Sequence, residues 1–221
     1  MIKQRNFIVR LIVLVPLITI LFTPMPLFSA ELQPIKLNKP NLKQGSSMME
    51  ALSNRRSDRE YSAKPLSEQD ISDLLWAAYG INRDDGRRTA PTATNAQEID
   101  LYLFNETGGY YYNAKDNVLE PRCEGDLRKL FANGQDFVLG APVILLMVGD
   151  IEKLRGDDKD RKLRLACMDA GIVSQNINLF CASRGLATVP RAMMDDNAIR
   201  DILNLKEFQY PILNNPVGYR K

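Results

Sequence analysis

The chain has 221 residues, of which 25% are charged, and its 29 Lys and Arg against 27 Asp and Glu leave a net charge of +2. Near-neutrality implies no polyanion-binding surface, so nucleic acid is not an expected partner. Histidine is absent. That removes His-based zinc sites, Ser-His-Asp triads and Cys-His pairs, so catalysis must draw on something else, a bound organic cofactor foremost.

Residues Met1 to Ala30 read as an export signal: Lys3, Arg5 and Arg10 form a basic head, Leu11 to Phe22 an apolar run, and small Ser29 and Ala30 follow. The run is shorter than the ~20 apolar residues of a membrane span, so cleavage near Ala30 is expected over anchoring. The mature protein is then periplasmic or extracellular, with no stable membrane insertion. Residues 31–45 form a Pro- and Lys-rich N-terminal extension, and 46–221 is long enough for one compact domain and too short for two. Cys123, Cys167 and Cys181 lack metal-ligand spacing. Cys167 and Cys181 share a predicted helix and are expected to pack as small hydrophobes, with one disulfide left open.

Ser47-Met-Met-Glu50 fits a capping box for a helix running to about Ser53. Ser67 to Asp70 opens a second helix, in which Ile71, Leu74, Leu75 and Ala78 make one apolar stripe ending at Gly80. Asn82 to Gln97 is polar and aperiodic, hence a loop. Ile99, Leu101 and Leu103 alternate with Asp100, Tyr102 and Phe104 as a strand does; Gly108-Gly109 is expected to turn the chain, and Tyr110 to Tyr112 to start the return strand. A short helix is predicted from about Asp126 to Ala132, and the unbroken apolar run Val143 to Val148 predicts a strand buried on both faces. The longest helix spans about Asp160 to Arg184, stops at Gly185, and is expected to bury Leu165, Met168, Ile172, Ile177 and Phe180. An extended piece at Leu186 to Val189, a helix near Asp196 to Leu203 and a last strand at Tyr210 to Leu213 complete the pattern. A mid-chain hairpin with irregular connections argues for α+β rather than a doubly wound sheet.

The stretch "SNRRSDREY", Ser53 to Tyr61, follows the first predicted helix. If it runs extended, Arg55, Ser57 and Arg59 share one face and Arg56 and Asp58 the other. Two guanidinium groups flanking a hydroxyl suit a phosphate, since the planar fork offers paired donors and a permanent charge. The same residues also suit a solvated run that complements a helix C-terminus.

The order of motifs is similar to that of the nitroreductase family of FMN-dependent oxidoreductases, closest to the SagB-type dehydrogenase branch. The carriers are Arg55-Arg-Ser57-x-Arg59, the loop Ala90-Pro91-Thr92-Ala93-Thr94-Asn95-Ala96-Gln97, the hairpin "GGYYYNAKDNVLEP", the segment "GQDFVLGAPVILLMVGD" and "DAGIVSQNINLFCASRGLATV". Thr92 stands where that family usually has serine, and Glu98-Ile99 where it has an aromatic residue.

The resemblance implies a central, mainly antiparallel sheet flanked by helices, a homodimer with two flavin sites, and FMN as cofactor. It implies that Arg55, Ser57 and Arg59 hold the phosphate, that Arg56 or Gln135 meets the ribityl or pyrimidine end, and that the Pro91, Thr92, Ala93 and Asn95 loop reaches across to the other subunit. Pro190-Arg191-Ala192-Met193 would approach the reactive ring edge, with the Ala192 or Met193 N–H facing N5. Arg220 or Lys221 would supply the basic tail found in relatives.

The implied activity is hydride transfer between flavin N5 and a small organic substrate such as a nitroaromatic, quinone or azoline. No catalytic side chain and no metal are assigned. The alternatives are a non-catalytic flavin-binding protein and a cofactor-free dimeric interaction module of the same fold.

Overall fold

The computed structural model describes residues 31–221, which form one compact unit; the expected export signal lies outside the described residues. Segment 31–45 is woven into this unit. Its β1 (Ile35–Lys36) pairs with Leu119 and Val118, and the amides of Asn38 and Asn41 donate to Ser72 Oγ at 2.9 Å and Asp73 Oδ1 at 2.7 Å.

Ser47 caps α1 (Met48–Asn54), and both halves of the predicted capping box form. Ser67 caps α2 (Glu68–Tyr79). The mid-chain strands are β2 (Ile99–Phe104), β3 (Gly108–Asn113) and β4 (Val118–Glu124), followed by α3 (Lys129–Ala132), β5 (Val143–Asp150) and α4 (Lys159–Arg184). The chain ends with β6 (Leu186–Thr188), α5 (Asp196–Ile202) and β7 (Gln209–Tyr219). The seven strands form one antiparallel sheet in the order β1-β4-β3-β2-β5-β7-β6. This is the predicted α+β architecture.

The central strands are buried because each serves two cores. Val143, Leu145 and Met147 of β5 join Leu74, Leu75, Val173 and Ile177 on the α2 and α4 side. Ile144, Leu146 and Val148 join Phe104, Phe131 and Ile199 on the α3 and α5 side.

Several boundaries differ from the sequence expectation. Gly108 and Gly109 lie inside β3, and the reversal is made by residues 105–107, where the Asn105 side chain accepts from the amides of Thr107 and Gly108. A Cβ on Gly109 would lie 2.6 Å from Cys123 Sγ, and one on Gly108 would lie 2.3 Å from the Cys123 carbonyl oxygen. These glycines permit close strand approach rather than a turn.

The helix expected from Asp126 begins only at Lys129, because the Asp126 carboxylate is taken by the Arg128 amide and guanidinium. On α4, Ile177 is buried and Leu165 and Phe180 half-buried, but Met168 and Ile172 are exposed, at 64% and 38%. The buried stripe is Ala166, Ala170, Val173, Ile177 and Cys181, whose small members let the helix lie close on the sheet. Cys181 packs as expected; Cys167 is exposed, and all three cysteines are free thiols. Gly185 ends α4 in the left-handed conformation, with φ 68°.

Candidate functional site

After α1 the chain runs extended, with Arg55 at φ −61° and ψ 122°. The Asp58 amide donates to the Thr188 carbonyl at 2.9 Å, and Tyr61 bridges to Arg220, so segment 55–61 lies beside β6 and the end of β7. Tyr61, Ala141 and Ala187 form a small buried cluster there, with Phe137 packed against it. Arg55, Arg56, Ser57 and Arg59 are all exposed. Asp58, half-buried, draws Arg56 at 3.4 Å and Arg220 at 3.2 Å. Arg220 is thereby fixed alongside the motif, and the chain end is not frayed.

Neither Arg55 nor Arg59 forms an ion pair, and the amides of Arg56, Ser57 and Arg59 donate no hydrogen bond among the described residues. This loop leaves two guanidinium groups without a carboxylate partner and a hydroxyl and three amides without a hydrogen bond, the kinds of donor that suit an anion.

Phe137 connects this segment to the second group of predicted residues. The Arg59 guanidinium lies 5.7 Å from the ring centroid and that of Arg191 lies 5.6 Å from it. Arg191 is buried. It donates to Gln135 Oε1 at 2.9 Å, to the carbonyls of Phe131 at 2.8 Å and Ala132 at 3.2 Å, and to Asn214 Oδ1 at 2.9 Å. Burial lowers its pKa from the ordinary arginine value, opposed by Tyr61 and reinforced by Arg59.

Around this hub Gln135 Nε2 donates to Met193 Sδ at 3.0 Å and Asn214 Nδ2 to the Met193 carbonyl at 3.2 Å, which fastens the turn Pro190-Arg191-Ala192-Met193, exposed except at Arg191. The Ala192 and Met193 amides donate to nothing among the described residues. The structure therefore brings Arg55, Arg56, Ser57, Arg59, Gln135, Pro190, Ala192, Met193 and Arg220 onto one surface.

Pro91, Thr92, Ala93 and Asn95 are elsewhere. Their loop carries left-handed backbone at Thr94, Asn95 and Gln97, with φ between 50° and 56°. This is uncommon outside glycine and marks a shape imposed by its surroundings. Thr92 Oγ1 accepts from the Gln97 amide at 2.9 Å, and the Ala93 amide donates to Asp169 Oδ2 at 2.7 Å, so that amide is already committed. Beneath the loop, Glu98 is fully buried, and no N–H or hydroxyl donor reaches its oxygens in good geometry. Burial, followed by the neighbouring Asp169 carboxylate, pushes its carboxyl up to about 7.

Asp169 anchors this loop in the middle of α4, whereas the arginine segment rests on Thr188 of β6. β6 runs back along α4, where Asn215 links Thr188 to Ser174. A hollow of about 510 Å³ lined by Ser62, Pro65, Leu66, Asn105, Leu139 and Pro142 among others includes none of the arginine motif, which is exposed.

A family model described as Nitroreductase family matches residues 52–219. The chain belongs to the nitroreductase family. MJ1384 of Methanocaldococcus jannaschii, whose name places it among nitroreductases, is 35% identical over 179 residues, 76% of this chain and 89% of its own length. A nitroreductase crystal structure from Ralstonia eutropha JMP134 superposes with a TM-score of 0.79 at 33% identity, over 85% of this chain and 90% of that one. A chain of the E. coli microcin synthetase McbBCD complex shares the fold, with a TM-score of 0.65 at 22% identity, over 90% of this chain and 84% of its own.

The hub itself is not legible in the sequence. Arg191 was read only for its backbone, and Asn214 fell beyond the predicted end of the last strand. The adjacent pair Asn214-Asn215, followed by Pro216, looks like a turn. It stays in β7 because both side chains are satisfied: Asn214 by Arg191, and Asn215 by Ser174 at 2.7 Å and Thr188 at 3.2 Å. The signal available in the sequence was two consecutive amides in a run that otherwise pairs with an apolar strand.

Proposed function

We propose that this nitroreductase is an FMN-dependent oxidoreductase, acting as a homodimer, that transfers a hydride between the flavin and a small organic substrate such as a nitroaromatic, quinone or azoline. The observation that carries this reading is the set of uncommitted donors on one surface. Arg55, Arg59, Ser57 and the free amides at 56, 57 and 59 fit a phosphate dianion, while the free Ala192 and Met193 amides, held by the Arg191 hub, fit the polar edge of a flavin ring. Gln135 gives its amide to a thioether, a weak acceptor that a ring carbonyl would readily replace.

When bound, FMN supplies a two-electron hydride acceptor. Arg55 and Arg59 anchor its charged end, Ala192 and Met193 orient its reacting edge, and no side-chain acid or base is needed, which suits a chain without histidine.

The homodimer is the arrangement that membership of the family implies. An isologous pair places the Pro91 to Asn95 loop of one subunit over the arginine shelf of the other and covers the exposed Met48, Met49 and Leu52 of α1 and Met168 and Ile172 of α4. We further propose export through the N-terminal signal. Nicotinamide cofactors are scarce outside the cytoplasm, so the donor there is an organic substrate or another reductant.

The test is the absorption spectrum of purified protein after FMN addition and gel filtration. A retained flavin band that an anaerobic donor bleaches is expected. Protein that emerges folded and colourless overturns the reading, and a flavin that no donor reduces leaves a binding protein rather than an enzyme.

A further inference from the structure

Among the described residues Arg191 is the one buried cation, at 6% exposure, and no carboxylate meets it. The other buried charges are spoken for elsewhere: Asp70 and Asp73 by Arg184, Asp100 by Lys153, and Glu98 with Asp169. Every acceptor on Arg191 is a neutral dipole, namely two main-chain carbonyls of α3 and the amide oxygens of Gln135 and Asn214. Neutral donors would satisfy the same oxygens without the desolvation cost of a charge, which is large for an unpaired ion. What a guanidinium adds at this place is a permanent positive charge.

Its field is not cancelled nearby. Arg59 stands across the Phe137 ring, and the carboxylate of segment 55–61 closest to the motif, Asp58, is engaged with Arg56 and Arg220. The charge lies directly behind the Ala192-Met193 turn and the Gln135 side chain, the groups assigned above to the flavin edge. Two-electron reduction with uptake of one proton leaves a flavin ring one negative charge richer, and a fixed cation behind it stabilises that form over the oxidised one.

We propose that Arg191 is an electrostatic positioning residue that holds the Gln135 and Met193 contacts in place and, by its uncompensated charge, favours the reduced over the oxidised flavin. The proposal rests on the FMN reading. A unit charge acting in surroundings of effective dielectric near 20 shifts such a preference by on the order of tenfold.

The experiment uses the FMN-loaded full chain and measures the midpoint potential against a reference dye under anaerobic conditions, together with the affinity for oxidised FMN. Arg191→Gln removes the charge. Asn214→Asp leaves Arg191 in place and sets a carboxylate on the oxygen that already accepts from it. Both are expected to lower the potential by about 30 mV, the equivalent of tenfold for a two-electron couple. Arg191→Lys, which keeps a charge, is expected to stay near the wild-type potential.

Potentials unchanged in both Arg191→Gln and Asn214→Asp, with flavin bound, overturn the proposal and leave the FMN reading intact. A folded wild type that binds no FMN removes both. If neither neutralising variant folds, Arg191 is a structural residue and the proposal falls.

Discussion

At the scale of single residues, the arginine motif and the buried acid pair make opposite demands on water. Arg55 is solvated and unpaired, so its charge is available to a ligand and costs the fold little. Arg55→Ala is expected to weaken FMN binding by at least tenfold, by fluorescence titration, while the melting temperature moves by no more than about 2 °C, because exposed substitutions lie within ±0.5 kcal/mol. Glu98 is the reverse case. Its carboxyl titrates near 7 instead of near 4.5, because burial and Asp169 disfavour its charge. The folded state therefore holds a proton that the unfolded chain has released. The stabilisation is complete below pH 4.5 and is lost as pH rises toward 7. Glu98→Gln, which stays neutral, should flatten that decline in a thermal melt series and raise stability at pH 8 relative to wild type. A wild-type curve that rises through this window contradicts the assignment.

At the scale of elements, α2 and α4 are fastened by a charge cluster rather than by apolar contact alone. Arg184, in the last turn of α4, reaches Asp70 at 2.6 Å and Asp73 at 3.2 Å on α2, and Tyr219 at the end of β7 donates to Asp70 at 2.6 Å. Both carboxylates are buried, so removing the cation strands them. Arg184→Met should cost about 3–5 kcal/mol, read as a fall in the urea midpoint. A loss below about 1 kcal/mol, the scale of a surface pair, would show that the cluster is solvated. The helix pattern in the sequence located α4 to within a residue, yet misjudged its circumference: Met168 and Ile172 fit an apolar stripe as well as Val173 does. Periodicity reports that a residue is apolar, and only the position of the sheet says which apolar face is covered.

At the scale of the whole molecule, the proposed homodimer, with the Pro91 to Asn95 loop of one subunit over the arginine shelf of the other, predicts shared active sites. Mixing an Arg55→Ala chain with a chain altered in the Asn95 loop should restore flavin binding that neither retains alone. With random pairing, roughly a quarter of all sites become intact. Failure of such mixtures to bind more than the sum of the two variants, under conditions where subunits exchange, would place both half-sites in one chain. Size determination by light scattering gives an independent check, since a monomer leaves the arginine shelf uncovered.

The amino-acid order alone determined the elements and much of the chemistry. Capping serines, the apolar run of β5 and the stop at Gly185 act over a few residues, and local physics is legible locally. The exposed donors of the 55–59 segment were legible for the same reason, since neighbours in the chain supply them. What tertiary structure decided was every relation between distant segments. Arg191 meets Asn214, Phe137 and Gln135 only because β7 returns beside the 190–193 turn and the residues after α3 pack beneath it. The burial of Glu98 against Asp169 likewise depends on where α4 crosses the start of β2. Charges far apart in sequence acquire or lose partners through packing, and no spacing rule within the chain records that outcome.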